Sequence, residues 1–484
     1  MPEKVQIEKL DELYVRIHSE PSTKMELQEY FTFEVPGAKF MPAYRNKVWD
    51  GKIRLLNAMT GKVYTGLVPY IHKFCKSRDY HVEHINNVVD EQQVNSDAGY
   101  QLAKEFDASY EPRDYQNNAI VHALKYNRSL LLSPTASGKS FIIYLLTRFH
   151  IEQGRKALII VPTTSLVDQM ASDFVDYNKG KKLSVHKIRG GADKNVDADI
   201  TITTWQSIYK LQKTWFEKFD LVIGDEAHLF KAKSLTKIME KTPHAKYRYG
   251  FTGTLDGTET HKLVLEGLFG VVYEVTKTST LIEEKTLAEF NIKAVVLGYP
   301  EQVRKENKGS DYQTEIDWIV TNQSRNKFIK NLAHSLYGNT LILFQFVEKH
   351  GKVLHPMLES DKHNIHFVYG GVSADDREEI RHTVEQSDNN IILASYGTFS
   401  TGININKLDN IIFASPSKSK IRNLQSIGRV LRRGNGKIKA TLYDVVDDLQ
   451  WKSQQNFAVK HFMERVNIYT EEGFDFKIYN VDIK

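Results

Sequence analysis

Two long stretches of the chain alternate short apolar runs with segments of helical spacing. In residues 110–280 the runs fall at 130–133, 157–161, 200–204, 221–223 and 248–252. In residues 281–447 they fall at 341–346, 365–369, 391–394, 410–414 and 440–446. Short segments of this kind, rich in apolar and β-branched residues, read as strands, and their alternation with helices predicts a parallel sheet covered on both faces. Two such blocks in tandem predict an α/β protein with two similar lobes and a cleft between them. Residues 1–85 are patterned differently, with period-two stretches at 5–7 and 30–35 and turn chemistry at Pro36-Gly37 and Thr60-Gly61. They predict a small strand-rich domain. Residues 86–109 are polar and read as a connector. Within 448–484, Phe457, Phe462 and Val466 recur at helical spacing and predict a short closing helix, with a short strand near 474–478.

Composition narrows the class without naming it. The 484 residues are 41% hydrophobic and 26% charged, which is ordinary globular usage. The lone cysteine, Cys75, excludes an intrachain disulfide and a cysteine-rich zinc site. Residues 1–8 carry no apolar leader, and no apolar run approaches the roughly 18 residues of a membrane span. A cytoplasmic, intracellular protein without a membrane partner is expected. The formal charge of +5 is compatible with a polyanionic partner but does not select one.

The chemistry is carried by short strings at strand ends. Residues 133–140 read Ser133-Pro134-Thr135-Ala136-Ser137-Gly138-Lys139-Ser140, between one apolar run and a helical segment. That context suits a phosphate-binding loop, although Ser133 stands where the usual pattern has glycine. Backbone N–H groups and the helix start would face phosphate, Lys139 would add charge, and Ser140 could ligate Mg²⁺. Residues 225–228 read Asp225-Glu226-Ala227-His228 after another strand. Asp225 could hold the metal, and Glu226 could activate water. Either string alone could be a surface turn. Together they fit a kinase, a transporter ATPase, a GTPase-like switch or a helicase motor.

The second block adds Gln425-Ser426-Ile427-Gly428-Arg429-Val430-Leu431-Arg432. Arg429 and Arg432, three apart on one helical face, could stabilise transition-state charge when the cleft closes. The alternative is a solvated basic helix.

With that string in place, the ordered set from about 112 to 433 resembles the superfamily 2 helicases, in the D-E-x-H branch. The resemblance implies two RecA-like lobes, ATP as the nucleotide and a nucleic-acid track. Arg113 and Gln116 match the adenine-reading segment. The loop Pro134, Thr135, Ala136, Ser137, Gly138, Lys139 and Ser140 would hold phosphates, with Gly402 and Asn404 completing the nucleotide site from the second block. Asn404 stands where aspartate is common. Lys139, Asp225, Glu226, Gln425, Arg429 and Arg432 would form the catalytic set. Pro162, Thr163, Thr164, Thr204, Gln206, Gln345, Gly370, Ser395 and Thr398 match strand-contacting motifs, although the hydroxyls among them could simply cap helices. Thr252-Gly253-Thr254 matches a coupling motif that usually reads S-A-T, and His228 would bridge to it.

One further segment stands outside those motifs. Tyr44 to Arg54 interleaves Arg45, Lys47, Lys52 and Arg54 with two aromatics, a pattern suited to gripping duplex or junction phosphates. A charged hairpin with Trp49 in a small core is the competing reading. The expected activity is ATP-dependent remodelling of branched or duplex DNA, including RNA–DNA hybrids, by a monomer. An RNA helicase and an ATP-gated binding clamp remain the rivals, and the sequence names no protein partner.

Overall fold

The computed structural model describes residues 3–483 except 36, 89, 256, 403, 404, 406, 416–418, 420–426 and 429–438. The chain forms two compact units, one of residues 1–133 and 137–276, the other of 134–136 and 277–484.

The first unit begins with a five-stranded mixed sheet. Its strands are β1 (Lys4–Lys9), β2 (Tyr14–His18), β5 (Leu56–Asn57), β6 (Lys62–Tyr64) and β7 (His81–Ile85), in the order β5-β6-β2-β1-β7. A separate antiparallel pair, β3 (Thr32–Glu34) and β4 (Lys52–Arg54), branches from it. Alternation works as expected in β1, where Val5 and Ile7 point into the core and their neighbours do not. The apolar stretch at 30–35 is only partly strand. Proline starts a helix, Pro21–Tyr30, whose Leu27 is buried, and that helix runs into the apolar stretch before β3 begins.

This small sheet is built into the lobe that follows it. Leu13 is fully buried in one cluster with Leu130, Leu158 and Val222. Arg128 Nη2 donates to the Glu12 carbonyl at 2.8 Å, and Tyr70 donates to Glu266 Oε2 at 2.6 Å. At Gly66 a β-carbon would stand 1.9 Å from the Glu266 carbonyl oxygen, so the backbones meet where no side chain fits. The stretch expected to be a bare connector contains a helix, Ala98–Glu105, whose Leu102 and Ala103 join the lobe core.

The lobe itself is a seven-stranded, wholly parallel sheet. Its strands are β8 (Arg128–Leu132), β9 (Ala157–Val161), β10 (Val185–Ile188), β11 (Ile200–Thr204), β12 (Leu221–Asp225), β13 (Tyr247–Thr252) and β14 (Val272–Glu274), ordered β10-β11-β9-β12-β13-β8-β14. Every residue of β9, β11 and β12 is buried, so Ala157–Val161 reads as an unbroken apolar run, while β11 fills the same environment with isoleucine and threonine.

The second unit repeats the plan. Strands β15 (Glu289–Gly298), β16 (Thr340–Phe344), β17 (Asn364–Val368), β18 (Asn390–Ser395), β19 (Asn410–Phe413), β20 (Lys439–Asp448) and β21 (Phe476–Asp482) form a parallel sheet ordered β17-β18-β16-β19-β20-β15-β21. The fold is therefore two tandem RecA-like α/β lobes with a strand-rich N-terminal part. The closing helix, Phe457–Glu471, is present, and β21 behind it pairs with β15 along seven residues. Asp444 of β20 is fully buried and bonded by Arg465 of that helix at 2.8 and 2.9 Å and by Tyr469 at 2.9 Å. The C-terminal stretch thus belongs to the lobe. No helix among the described residues is long and apolar enough to cross a membrane.

Candidate functional site

Strand order decides what meets at the carboxyl edge of the first parallel sheet. β13 lies between β12 and β8, with Asp225 beside Phe251 and Thr252 beside Leu132. The Ser133 amide donates to the Thr252 carbonyl at 2.8 Å, so the phosphate-type loop starts pinned to the end of β13. Ligands of open α/β sheets bind at this edge.

The loop turns into the helix Lys139–Ile151 through two left-handed residues, Ala136 at φ 67° and Gly138 at φ 76°. A β-carbon at position 138 would stand 2.2 Å from Gln116 Nε2, so any other residue would displace that amide besides straining the backbone. Inside the loop, the Ser133 and Ser137 hydroxyls are 2.6 Å apart. Gln116 is buried. Its Oε1 accepts from the Arg113 amide at 2.9 Å, and its Nε2 donates to the Ser137 carbonyl at 2.9 Å. One N–H and one lone pair of that amide remain for a ligand. Arg113 Nη1 reaches the Tyr115 hydroxyl at 3.0 Å.

Lys139 Nζ lies 2.6 Å from Asp225 Oδ1 and 3.1 Å from Glu226 Oε1. Burial disfavours the lysine charge, but the two carboxylates outweigh it and hold the pKa above the ordinary lysine range. Burial also lifts the Asp225 pKa, against the pull of Lys139. Glu226 sits at φ 51°, a strained backbone for a non-glycine residue, and its amide donates to Asp225 Oδ1 at 2.9 Å. The Ser140 hydroxyl is 2.7 Å from the Tyr177 hydroxyl. Tyr177 carries no motif and lies far along the chain. Its place in an aromatic cluster with Tyr110, Phe141 and Tyr144 brings it to the loop, and sequence reasoning passed over it.

His228 links this group to the hydroxyl motif. Its Nδ1 is 2.9 Å from Thr252 Oγ1 and 3.3 Å from Glu226 Oε2. The Thr252 hydroxyl donates to the Thr254 carbonyl at 2.9 Å, so both neighbours of His228 Nδ1 are acceptors and the ring hydrogen belongs on that nitrogen. The buried Thr254 hydroxyl has no hydrogen-bond partner among the described residues.

The expected strand-contacting residues divide in two. Pro162, Thr163 and Thr164 follow β9, while Thr204 ends β11 and Gln206 follows it, at the same edge of the same sheet. Thr163 caps its helix by accepting from the Leu166 amide at 3.4 Å, and Thr204 Oγ1 is 3.0 Å from Ser207 Oγ. Thr164 and Gln206 are exposed. In the second unit, Gln345 and Gly370 are exposed after β16 and β17. Ser395 donates to Thr398 Oγ1 at 2.9 Å, so those two hydroxyls are occupied with each other. Gly402 ends the helix Tyr396–Gly402. Asn404, Gln425, Arg429 and Arg432 lie outside the described residues.

Arg45, Lys47, Lys52 and Arg54 are all exposed on the segment between β3 and the start of β5. Arg54 is ion-paired with Asp50. Trp49 is half-buried, with Nε1 donating to the Lys52 carbonyl at 2.9 Å, and it stands outside the core of the small sheet.

Comparison with known proteins gives the chain a family. Residues 4–85 match the model of the DNA helicase UvsW N-terminal domain, residues 109–257 the type III restriction enzyme res subunit, and residues 324–434 the helicase conserved C-terminal domain. The ATP-dependent DNA helicase uvsW of Enterobacteria phage T4 is 34% identical over 97% of this chain and 98% of its own. The DNA 3'-5' translocase XPB2 of Sulfurisphaera tokodaii is 25% identical over 54% of each. The crystal structure of T4 UvsW superposes with a TM-score of 0.53 at 33% identity, covering 99% of both chains. The type ISP restriction-modification enzyme LlaBIII shares only the fold, with a TM-score of 0.58 at 14% identity over 86% of this chain and 34% of its own.

Proposed function

The chain belongs to the UvsW family of ATP-dependent superfamily 2 helicases, and on that premise we propose that it remodels branched DNA. Forks, four-way junctions, D-loops and R-loops of recombination, repair and replication restart are the substrates of this reading. Its work is done as a monomer in the cytoplasm, that of a bacterial host if the gene is a phage's. The observation that carries it is the likeness to UvsW from end to end, including the N-terminal part, whose β3–β4 segment exposes Arg45, Lys47, Lys52 and Arg54.

In this reading ATP hydrolysis runs on the group around Lys139. Arg113 and Gln116 hold the adenine, and the loop 134–140 wraps the phosphates with backbone N–H groups. Lys139 exchanges its carboxylate partners for phosphate oxygens, which frees Glu226 to orient the attacking water and take its proton. Ser140 and Asp225 are hard oxygen donors suited to Mg²⁺. The described residues contain no group of three or more His, Cys, Asp or Glu that could hold a metal alone, so phosphate and water would complete the ion's shell. Bound there, Mg²⁺ would neutralise phosphate charge. Gln425, Arg429 and Arg432 supply the remaining transition-state contacts, with Gly402 and Asn404 on the nucleotide. Thr163, Thr164, Thr204, Gln206, Gln345, Gly370, Ser395 and Thr398 touch the sugar–phosphate backbone without reading bases. His228, Thr252 and Thr254 couple the two processes.

The deciding experiment measures ATPase stimulation by single-stranded DNA, linear duplex, forks, four-way junctions and RNA. Forks and junctions should stimulate most. Equal stimulation by RNA, or by linear duplex, would defeat the branched-DNA reading while leaving the helicase assignment intact.

A further inference from the structure

Between β3 and β4 the chain makes a compact loop whose neck is closed by the β3–β4 pairing and by the Val35 amide donating to the Gly51 carbonyl at 2.8 Å. Its tip is a turn of 3₁₀ helix, Ala38–Phe40, and one turn of α-helix, Pro42–Arg45. The Val48 and Trp49 amides both donate to the Ala43 carbonyl, at 2.9 and 3.1 Å, folding the loop back on itself. Gly37, Lys47 and Gly51 adopt left-handed backbones at the bends, and a β-carbon on Gly51 would crowd the Tyr44 ring at 3.0 Å. The loop is therefore shaped by its own hydrogen bonds.

What it presents is unusual for this chain. Nineteen large apolar side chains are exposed among the described residues, and four of them fall in nine consecutive positions here: Phe40 at 66%, Met41 at 42%, Tyr44 at 42% and Val48 at 82%. Clustered exposed apolar residues mark interaction surfaces. Between positions 36 and 49 the sequence has Lys39, Arg45 and Lys47 and no acidic residue. All three cations are exposed, and the Lys39 ammonium lies 5.3 Å from the centre of the Phe40 ring.

The nearest carboxylates, Glu34 and Asp50, sit at the neck of the loop, and Asp50 is paired with Arg54. Apolar side chains interleaved with Lys39, Arg45 and Lys47 suit a polyanion with an apolar interior exposed at one point, which describes a duplex end. Phosphates on the two strands would meet the cations, and the terminal base pair would offer a flat apolar face. Apolar wedges of this kind unstack base steps in other DNA-binding proteins. We propose that Phe40 and Val48, together with Met41 and Tyr44, form a wedge that stacks on and unstacks the base pair flanking a branch point. The proposal rests on the branched-DNA reading above and adds to it the element that opens the duplex.

The test uses the full chain with Phe40→Ala and Val48→Ala combined, circular dichroism to verify the fold, and 2-aminopurine in the pair flanking a four-way junction. Without ATP, wild-type protein should raise the 2-aminopurine fluorescence several-fold, and the double variant should lose most of that rise. Its affinity for the junction should fall no more than about tenfold, with an unchanged salt slope, because the phosphate contacts are cationic. A variant that unstacks as well as wild type overturns the proposal. Equal loss of binding to linear duplex and junction, with the unstacking signal intact per molecule bound, would make the patch a general grip and overturn it too. If light scattering shows wild type to be a dimer that the variant dissolves, the patch is a contact between copies. A wild type that binds junction no better than linear duplex defeats the branched-DNA reading itself, an outcome visible before the variant is made.

Discussion

His228 Nδ1 lies 2.9 Å from Thr252 Oγ1, joining the residue that ends the acidic box on β12 to the hydroxyl that ends β13. The same nitrogen is 3.3 Å from Glu226 Oε2. One imidazole thus contacts both the proposed water-activating carboxylate and the motif proposed to couple hydrolysis to movement on DNA. Thr252→Val removes that acceptor while keeping shape. A lost hydrogen bond is worth about 1 kcal/mol, so strand displacement should fall by roughly fivefold. ATP turnover without DNA should stay within a few-fold of wild type. Measuring both rates on one preparation decides it, since equal losses would mean the bond serves the nucleotide site alone.

Lys139 is the residue on which both carboxylates converge. Replacing it with alanine removes the lysine that lies within ion-pair reach of both Asp225 and Glu226. Turnover should drop by at least about 10²–10³-fold, the range for losing one preorganised electrostatic contact. DNA affinity should change by no more than a few-fold, because the strand-end residues 163, 164, 204 and 206 belong to other loops. A variant that still hydrolyses ATP near the wild-type rate would place the phosphate site elsewhere.

The sequence was most readable where one physical rule dominated. Double burial made β9, β11 and β12 legible, and with them the sheet and the strand ends that carry Asp225, Thr163 and Thr204. Edge strands were harder. β10 and β14 have only four and three residues, and half-exposed positions break their apolar signal. β15, ten residues long, alternates too loosely to stand out from the linker around it. Tyr177 was invisible because its role depends on a packed aromatic cluster and not on spacing. The N-terminal sheet misled differently. Its boundary shows in composition, but nothing local reveals that Leu13 belongs to the core of the next lobe.

That shared core has a measurable consequence. Leu13 is fully buried with Leu130, Leu158 and Val222, and the Glu12 carbonyl accepts from the partly buried Arg128. Leu13→Ala should destabilise the first unit by about 2–5 kcal/mol, as large-to-small core changes do. Removing residues 1–85 should be worse, leaving a lobe with exposed core that aggregates or melts many degrees lower. Thermal denaturation of both proteins tests this. A truncated chain that melts with the intact one would make the N-terminal sheet a mere appendage.

Acid should weaken the same unit through His150. This residue is fully buried, with Nε2 3.2 Å from the Tyr249 hydroxyl and Nδ1 accepting from Arg155 at 2.9 Å. Burial, reinforced by Arg155, lowers its pKa to about 3. The folded state therefore keeps the ring neutral, while the unfolded chain takes up a proton below about pH 6.5. Its contribution is fully present above pH 6.5 and is lost as pH falls toward 3, at about 1.4 kcal/mol per pH unit. Urea unfolding at pH 7, 6 and 5 should show this steepness in wild type. His150→Gln should be less stable at pH 7 but lose about 2 kcal/mol less by pH 5. Parallel curves for the two proteins would show that the histidine titrates alike folded and unfolded.

The N-terminal cations yield a prediction that does not depend on truncation. Each phosphate neutralised on duplex DNA adds about 0.9 to the slope of log affinity against log salt, so four cations would account for at most about 3.6. Arg54 is already bonded to Asp50, whose pKa is held below the usual range first by that hydrogen bond. No ion pair involves Arg45, Lys47 or Lys52 among the described residues, and all three are exposed. Three free cations give about 2.7. Changing Arg45, Lys47, Lys52 and Arg54 together to glutamine should flatten the slope on a forked substrate by about that amount and weaken binding most at low salt. ATP turnover without DNA should hold, since none of the four contacts the residues around Lys139. Restoring Arg54 alone should recover little of the slope, because its charge is spent on Asp50. Recovery of a full contact by Arg54 would mean the Asp50 pair opens on DNA, and an unchanged slope in the quadruple variant would mean this loop does not touch phosphate at all.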